Sequence, residues 1–240
     1  MAIVEFSKRK LQVLKALGLK RVMLLPVAAI SVFLLFLLSK LITVNVHYIY
    51  NSRIGHFATN TELSYLTTQV SQNKLGLRPL HLFFFESKKS ANLFLEILWR
   101  RKLTVLPQNL GWLIYDLVKR LPISKIAAQS TIVDTNGLLV ATEPTLTFSS
   151  NEQTEGNRFL GKLGLNPNDK FVCLNVRDEM FLRQSEPIDW TKNRDWSYHN
   201  YRDSDISTYV QAAEALAEMG YTVFRMGALV KEPLVSKHPR

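Results

Sequence analysis

The chain has 240 residues, 47% of them hydrophobic, and a formal net charge of +10, which is enough apolar material for one large or two modest domains. Residues 1–53 hold eight Lys or Arg against Glu5 alone, a net of +7, while the rest of the chain carries 22 basic and 19 acidic groups. The basic excess therefore lies beside an apolar segment instead of over a folded surface, which points to anionic membrane lipid as a partner and argues against nucleic acid.

Residues 22–39, VMLLPVAAISVFLLFLLS, run for 18 positions without a charge. At about 1.5 Å per residue this approaches the ~30 Å hydrocarbon thickness and predicts a membrane helix, with Pro26 near its amino end where a missing donor costs least. No small-x-small pattern follows Leu38, and a long basic region precedes, so a cleaved signal peptide fits poorly. Upstream, Val4, Leu11, Leu14 and Leu17 recur at roughly helical spacing with Lys8, Lys15 and Lys20 between them, the pattern of a basic helix lying on a membrane surface. Two topologies satisfy these features: a full span with the basic end in the cytoplasm, or a monotopic anchor that leaves the domain cytoplasmic.

LITVNVHYIY (41–50) predicts a strand. The stretch after it places Gly55 in a turn and offers Thr59, Asn60 or Thr61 as the cap of a helix bearing Leu63, Leu66 and Val70 on one face. PLHLFFFES (79–87) reads as a buried strand, KKSANLFLEILWRR as a helix, LTVLP (103–107) as another strand, and Asn109 as the cap of LGWLIYDLVKR. Strands alternating with helices imply a covered parallel sheet, the opening of a Rossmann-like half, although G-x-G-x-x-G is absent. Residues 121–148 are irregular, with a short strand within TIVDTNGLLVATEPTLTF. Ser149 and Glu152 form a capping-box signature for a helix through Leu163, ended by Gly164.

FVCLNVRD (171–178) predicts an interior strand with Phe171, Cys173 and Asn175 on one face and Val172, Leu174 and Val176 on the other. Cys173, the single cysteine, rules out an intrachain disulfide or cysteine-based zinc cluster and reads as a buried structural thiol. Arg177 and Asp178 fall at the strand's carboxyl end, where α/β units bind ligands. The loop from Glu179 to Ser204 is long enough to suggest function. Trp190, Trp196, Tyr198 and Tyr201 can anchor it, and His199, Arg202, Asp203 and Asp205 supply titratable groups. Aromatic faces beside carboxylates and guanidiniums suit a sugar. A helix closed by Gly220 leads to a second strand ending at Arg225, whose planar fork suits a diphosphate. Plainer roles exist for the same residues: Arg177 with Asp178, or Arg202 with Asp205, as local ion pairs, and Asp203 or Asp205 as a helix cap. The His and Asp spacings match no standard ligand set, so no metal is expected.

In RIGHFATNTEL (53–63), FVCLNVRD (171–178), YHNYRDSDISTY (198–209) and GYTVFRMGALV (220–230) the chain resembles bacterial surface-polysaccharide glycosyltransferases of the two-Rossmann, GT-B type. The resemblance implies an α/β fold of two Rossmann-like halves behind a membrane anchor. It implies transfer of a sugar from a nucleotide-sugar donor to a glycan or lipid-linked acceptor, with no cofactor beyond that co-substrate. Arg177, Asp178, His199, Arg202, Asp203, Arg225 and Gly227 would line the donor side. Gly55, His56, Asn60 and Glu62 would face the cleft from the acceptor side, with Glu62 or His56 as the base that deprotonates the acceptor hydroxyl. The corresponding divisions are an anchor at 1–43, an acceptor-side domain at 44–165 and the start of a donor-side domain at 166–240. This last piece has roughly 75 residues where a domain usually has about 100–150, so the expectation is a donor half cut short. A nucleotide-sugar enzyme is expected on the cytoplasmic face of the inner membrane. The alternative is a catalytically inactive, membrane-anchored interaction protein.

Overall fold

The computed structural model describes residues 19–70, 78–121, 126–129, 133–180, 195 and 197–238. The basic amphipathic segment expected at 4–21 falls outside them except at its last three residues, as do Trp190 and Trp196. Two parallel α/β units are present, Met1–Thr147 and Phe148–Arg240. This division differs from the expected one in two ways. The helix expected to stand apart as an anchor belongs to the first unit, and the capping-box helix is grouped with the second.

The uncharged run folds as helix α1, Leu19–Leu38, long and apolar enough to cross a membrane or to act as a signal sequence. Pro26 lies eight residues into it instead of at its start. Strand β1, Val44–Ile49, follows after a short turn and alternates its side chains between two faces. Val44 and Val46 enter one core with Ala28 and Val32 of α1, Phe84, Ile126, and Leu113, Ile114 and Val118. Ile49 enters a second core with Phe57, Phe83, Phe85, Trp99 and Leu103. Each fully buried side chain of this size contributes about 1.5–3 kcal/mol relative to exposure, so the two-sided burial of β1 anchors the unit.

The elements that supply these partners follow in order: α2 (Ile54–Val70), β2 (Leu80–Phe85), α3 (Leu93–Lys102), α4 (Gln108–Arg120) and β3 (Ile126–Gln129). The sheet order is β2-β1-β3, all parallel, in the register Val46↔Leu82 and Val46↔Ala128. Thr104 and Leu106 hydrogen-bond to Phe83 beyond β2, so the strand expected at 103–107 contracts to a single bridge at Val105. Helices α1 and α4 lie on one side of the sheet and α2 and α3 on the other.

Three local expectations are corrected. Helix α2 begins at Ile54, so Gly55 sits in its first turn, and Thr59, Asn60 and Thr61 lie inside it. The hydroxyl of Thr59 donates to the Gly55 carbonyl at 2.7 Å instead of capping. Asn109 is likewise inside α4, which starts after Pro107. The strand sought within TIVDTNGLLVATEPTLTF lies just upstream as β3, while Leu138–Ala141 forms one short helix, α5.

In the second unit the capping box is present in full: Glu152 N donates to Ser149 Oγ, and Ser149 N donates to the Glu152 carboxylate. It starts α6, Ser150–Lys162, and Gly164 follows with φ +84°. Strands β4 (Phe171–Asn175) and β5 (Thr222–Met226) pair in parallel, joined through two short 3-10 turns, Ser197–Arg202 and Ile206–Tyr209, and helix α7, Val210–Glu218. Helix α7 packs on β5. Phe171, Cys173 and Asn175 are exposed, so among the described residues β4 does not stand as an interior strand and Cys173 is an exposed thiol. Among the described residues nothing covers that face.

Two measurements test this packing. A Cβ on Gly111 of α4 would overlap the ring of Phe84, which is fully buried and has nowhere to go. Helix propensity favours Ala over Gly by about 0.8–1 kcal/mol and overpacking costs about 1–3 kcal/mol, so Gly111→Ala is expected to lower stability by up to about 2 kcal/mol. Gly156→Ala in α6, which meets open space, should instead gain up to about 1 kcal/mol. Urea denaturation of both variants separates the two effects, and a Gly111→Ala chain stabilised as much as the Gly156→Ala chain would rule out the close approach.

The second measurement concerns His47 of β1. Its Nε2 lies 2.9 Å from His81 Nδ1, and its ring stacks on Phe83 at 4.6 Å. His47 Nδ1 and His81 Nε2 are buried without a partner among the described residues. Burial first, and the neighbouring His81 second, push the pKa of His47 down to about 3, and burial lowers that of His81. The unfolded chain takes up a proton on His47 near 6.5 and the folded chain only near 3, and His81 shifts in the same direction. The stability that neutral His47 preserves is thus full above about pH 6.5 and is lost as pH falls toward 3, at up to about 1.4 kcal/mol per pH unit, and His81 adds a loss of the same sign. Thermal melts between pH 7 and pH 5 should show a shallower pH slope for His47→Gln than for the parent chain.

Candidate functional site

In an open parallel sheet, ligands bind where neighbouring strands leave in opposite directions. With the order β2-β1-β3 that point is the carboxyl end of β1. The connection Tyr50–Arg53 is held there by Asn51, which is fully buried. Its Nδ2 donates to Ser87 O and its Oδ1 accepts from Ser87 N, both at 3.0 Å. Its carbonyl accepts from Ala91 N at 2.7 Å. One amide matched to one peptide locks the loops after β1 and β2 together.

Above this floor stand Tyr50, Ser52, Arg53, His56 and Glu86. Ser52 Oγ donates to a carboxylate oxygen of Glu86, whose backbone carbonyl accepts from Gln108 Nε2 and from Trp112 Nε1. Burial raises the Glu86 pKa above the ordinary carboxylate value, while the Ser52 hydrogen bond and the charges of Arg53 and His56 pull it back. His56 is exposed, with its ring 5.5 Å from that of Tyr50 and its Nδ1 3.4 Å from the amide of Asn60. A Cβ on Gly55 would meet nothing within 4 Å, so the first turn of α2 is open.

Gly55, His56 and Asn60 are therefore gathered at one end of α2, but Glu62 is not with them. Six residues of α-helix turn through about 240°. Glu62 instead accepts from Thr145 N at 2.9 Å and lines a separate, largely apolar pocket of about 300 Å³ with Thr59, Trp99, Leu139 and Leu146. Glu86 was not singled out from the sequence. The signal was there: an acidic residue directly after an all-apolar strand, LHLFFF, in the position where parallel strands present ligand-binding groups.

In the second unit, the carboxyl edge of β4 and β5 carries two arginine–aspartate pairs. Arg177 Nη1 lies 2.6 Å from Asp203 Oδ1 and donates to His199 O at 3.1 Å, and Ser204 N donates to Arg177 O at 3.0 Å. Arg225 Nη2 donates to Val176 O at 3.0 Å and lies 3.7 Å from Asp178 Oδ2. Asp178 also accepts from Met180 N at 3.0 Å and Lys231 N at 2.9 Å, which fastens both flanking loops. Gly227 turns with φ +140° directly against Arg225 and Val230.

The pairing differs from the local one considered from sequence. Arg177 does not pair with Asp178, nor Arg202 with Asp205. Asp205 caps the turn Ile206–Tyr209, accepting from Ser207 N at 2.8 Å, and that bond holds its carboxyl below the usual range. Arg202 is exposed and makes none of these contacts. Asp178, Asn200, Asp203, Asp205, Arg225 and Lys231 line a pocket of about 320 Å³. Carboxylates outnumber cations on its wall, an arrangement that accepts hydrogen bonds from hydroxyl groups more readily than it draws in a bare phosphate. Among the described residues no three His, Cys, Asp or Glu are placed to hold a metal ion.

The two pairs differ in burial, and that difference can be measured. The Arg225 and Asp178 side chains are 11% and 13% exposed, those of Arg177 and Asp203 35% and 21%. Removing one partner of a buried pair strands the other charge, at about 3–5 kcal/mol, whereas a partly exposed pair contributes about 0–1 kcal/mol. Hydrogen exchange at the β4 and β5 amides should therefore accelerate far more in Arg225→Ala than in Arg177→Ala. Equal effects would contradict the assignment of Arg225 as the buried strut.

Compared with known proteins, the chain matches no family model, no curated protein and no solved structure.

Proposed function

We propose that this chain is a membrane-associated glycosyltransferase whose second unit holds a nucleotide-sugar donor and whose first unit receives a glycan or lipid-linked acceptor on the cytoplasmic face. The observation that carries the reading is the pocket at the carboxyl edge of β4 and β5. There Asp178, Asn200 and Asp203 offer acceptors and a donor to sugar hydroxyls, beside the guanidinium of Arg225. Arg225 Nε is buried without a partner among the described residues, and a donor's diphosphate oxygen would satisfy it.

Further support comes from the first unit. With the Val105 bridge outside β2, the strands run in the order in which Rossmann-like halves begin, in keeping with a GT-B arrangement. In this reading the base that takes the acceptor's hydroxyl proton is Glu86. Burial raises its carboxyl pKa above the ordinary carboxylate value, and it stands beside His56 and Arg53 at the switch point. His56 remains as a second group at the same edge. Glu62, occupied by Thr145, helps hold the 142–147 segment in place.

One observation favours the alternative of an inactive, membrane-anchored interaction protein: both Arg177 and Arg225 already hold carboxylates. Calorimetry of the full chain with a panel of uridine, guanosine, cytidine and thymidine diphosphate or monophosphate sugars decides between them. The transferase reading expects binding of at least one donor and its weakening by about tenfold or more in Arg225→Lys, which keeps the charge but loses the fork. No binding across the panel, with a co-purifying protein retained by Arg177→Ala and Arg225→Ala chains, would replace it with the alternative.

A further inference from the structure

Helix α1 is apolar on two sides that face different surroundings. Leu25, Ala28, Val32, Leu35 and Ser39 repeat at steps of three and four and form the stripe turned toward the unit. Ala28 and Val32 are buried in the core that also contains Val44, Val46 and three residues of α4. Met23, Val27, Ile30, Leu34, Leu37 and Leu41 repeat in the same rhythm on the other side and are 47–71% exposed. Nothing among the described residues covers this second stripe. At about 1.5 Å per residue the 20-residue helix presents it along roughly 30 Å.

A helix that crosses a bilayer is surrounded by lipid. To do so, α1 would have to leave α4, and Leu113, Ile114 and Val118 would lose the apolar cover they have now. A helix lying along the membrane plane keeps the inner stripe packed on the unit and gives the outer stripe to the acyl chains. The charges beside it agree. Residues 6–61 contain no Asp or Glu, and eight Lys or Arg fall between Lys8 and Arg53. Arg21 and Lys40 lie near the two ends of the outer stripe, Lys40 with its ammonium 4.6 Å from the Phe36 ring. Cations at both ends of an apolar stripe suit the headgroups of an anionic leaflet.

We propose that α1 is a monotopic docking element: it lies in the plane of one anionic leaflet, with its outer stripe in the lipid, its inner stripe on α4, and both its ends on the same side of the membrane. This rests on the membrane association assigned above but not on transferase chemistry.

The test has two parts, both on the full chain. In flotation with phosphatidylcholine vesicles with and without phosphatidylglycerol, the chain should bind the anionic vesicles more tightly. Ile30→Glu with Leu34→Glu should weaken that binding by at least about tenfold, because two large apolar groups leave the lipid, while circular dichroism stays unchanged. In a Cys173→Ser background, Arg21→Cys and Lys40→Cys chains are then treated with an impermeant maleimide in sealed membrane vesicles of one orientation. Labelling of both positions, or protection of both, supports the in-plane helix. Labelling of one alone overturns it in favour of a span and leaves membrane association standing. Absence of vesicle binding overturns membrane association itself. A lipid-free dimer abolished by the same glutamate substitutions makes a second copy of this chain the occupant and also overturns the proposal.

Discussion

A strand in the middle of a parallel sheet has side chains on two faces and water on neither. Val44 and Val46 of β1 require the cover of α1 and α4, while Ile49 and His47 require that of α2 and α3. Once those four helices are in place, the loop after β1 must emerge at the sheet edge beside the loop after β2, and Asn51 fastens the two by matching its amide to the peptide of Ser87. The cluster of Tyr50, Ser52, His56 and Glu86 is a consequence of that fastening. The same constraint recruits α1 into the unit, because Val44 and Val46 share a core with its Ala28 and Val32.

The second unit is organised by charge more than by apolar burial. Strand β4 leaves one face exposed, and the loops are tied by Asp178, which holds Arg225, Met180 N and Lys231 N at once. A mostly buried carboxylate with two hydrogen-bond donors and a guanidinium beside it is well compensated, and that guanidinium is kept near the pocket without being free in it. An anionic ligand would have to share Arg225 with Asp178, which favours ligands that bring hydroxyls for the carboxylates together with a phosphate for the guanidinium.

Much of the local order was legible in the sequence because it depends on neighbours a few residues apart. The uncharged run of α1, the alternation in β1, the apolar block of β2 and the capping box of Ser149 with Glu152 are all short-range patterns. The start of α2 departs from the cap pattern for a short-range reason too: Thr59 and Thr61 resemble caps, yet inside a helix a threonine hydroxyl can return to the carbonyl four residues earlier, as Thr59 does to Gly55. The exposure of Cys173 was not legible, because an apolar alternation in β4 does not say whether a further layer covers each face.

The candidate site divides along the same line. That carboxylates and arginines would gather at the carboxyl ends of parallel strands follows from the strand pattern, and Arg177, Asp178, Asp203 and Arg225 do lie there. Which arginine holds which aspartate does not follow, since Arg177 reaches past its neighbour Asp178 to Asp203, and Asp178 turns to Arg225 on another strand. The spacing of His56 and Glu62 turns them to different places only once both lie in α2, and the position of Glu86 does not show that it would join His56. Composition and periodicity set which segments become helix or strand, because those depend on local sterics and on how often apolar residues recur. Partner choice and burial belong to tertiary structure, because they depend on which loops the parallel pairing of β1 with β2 and of β4 with β5 brings to one edge.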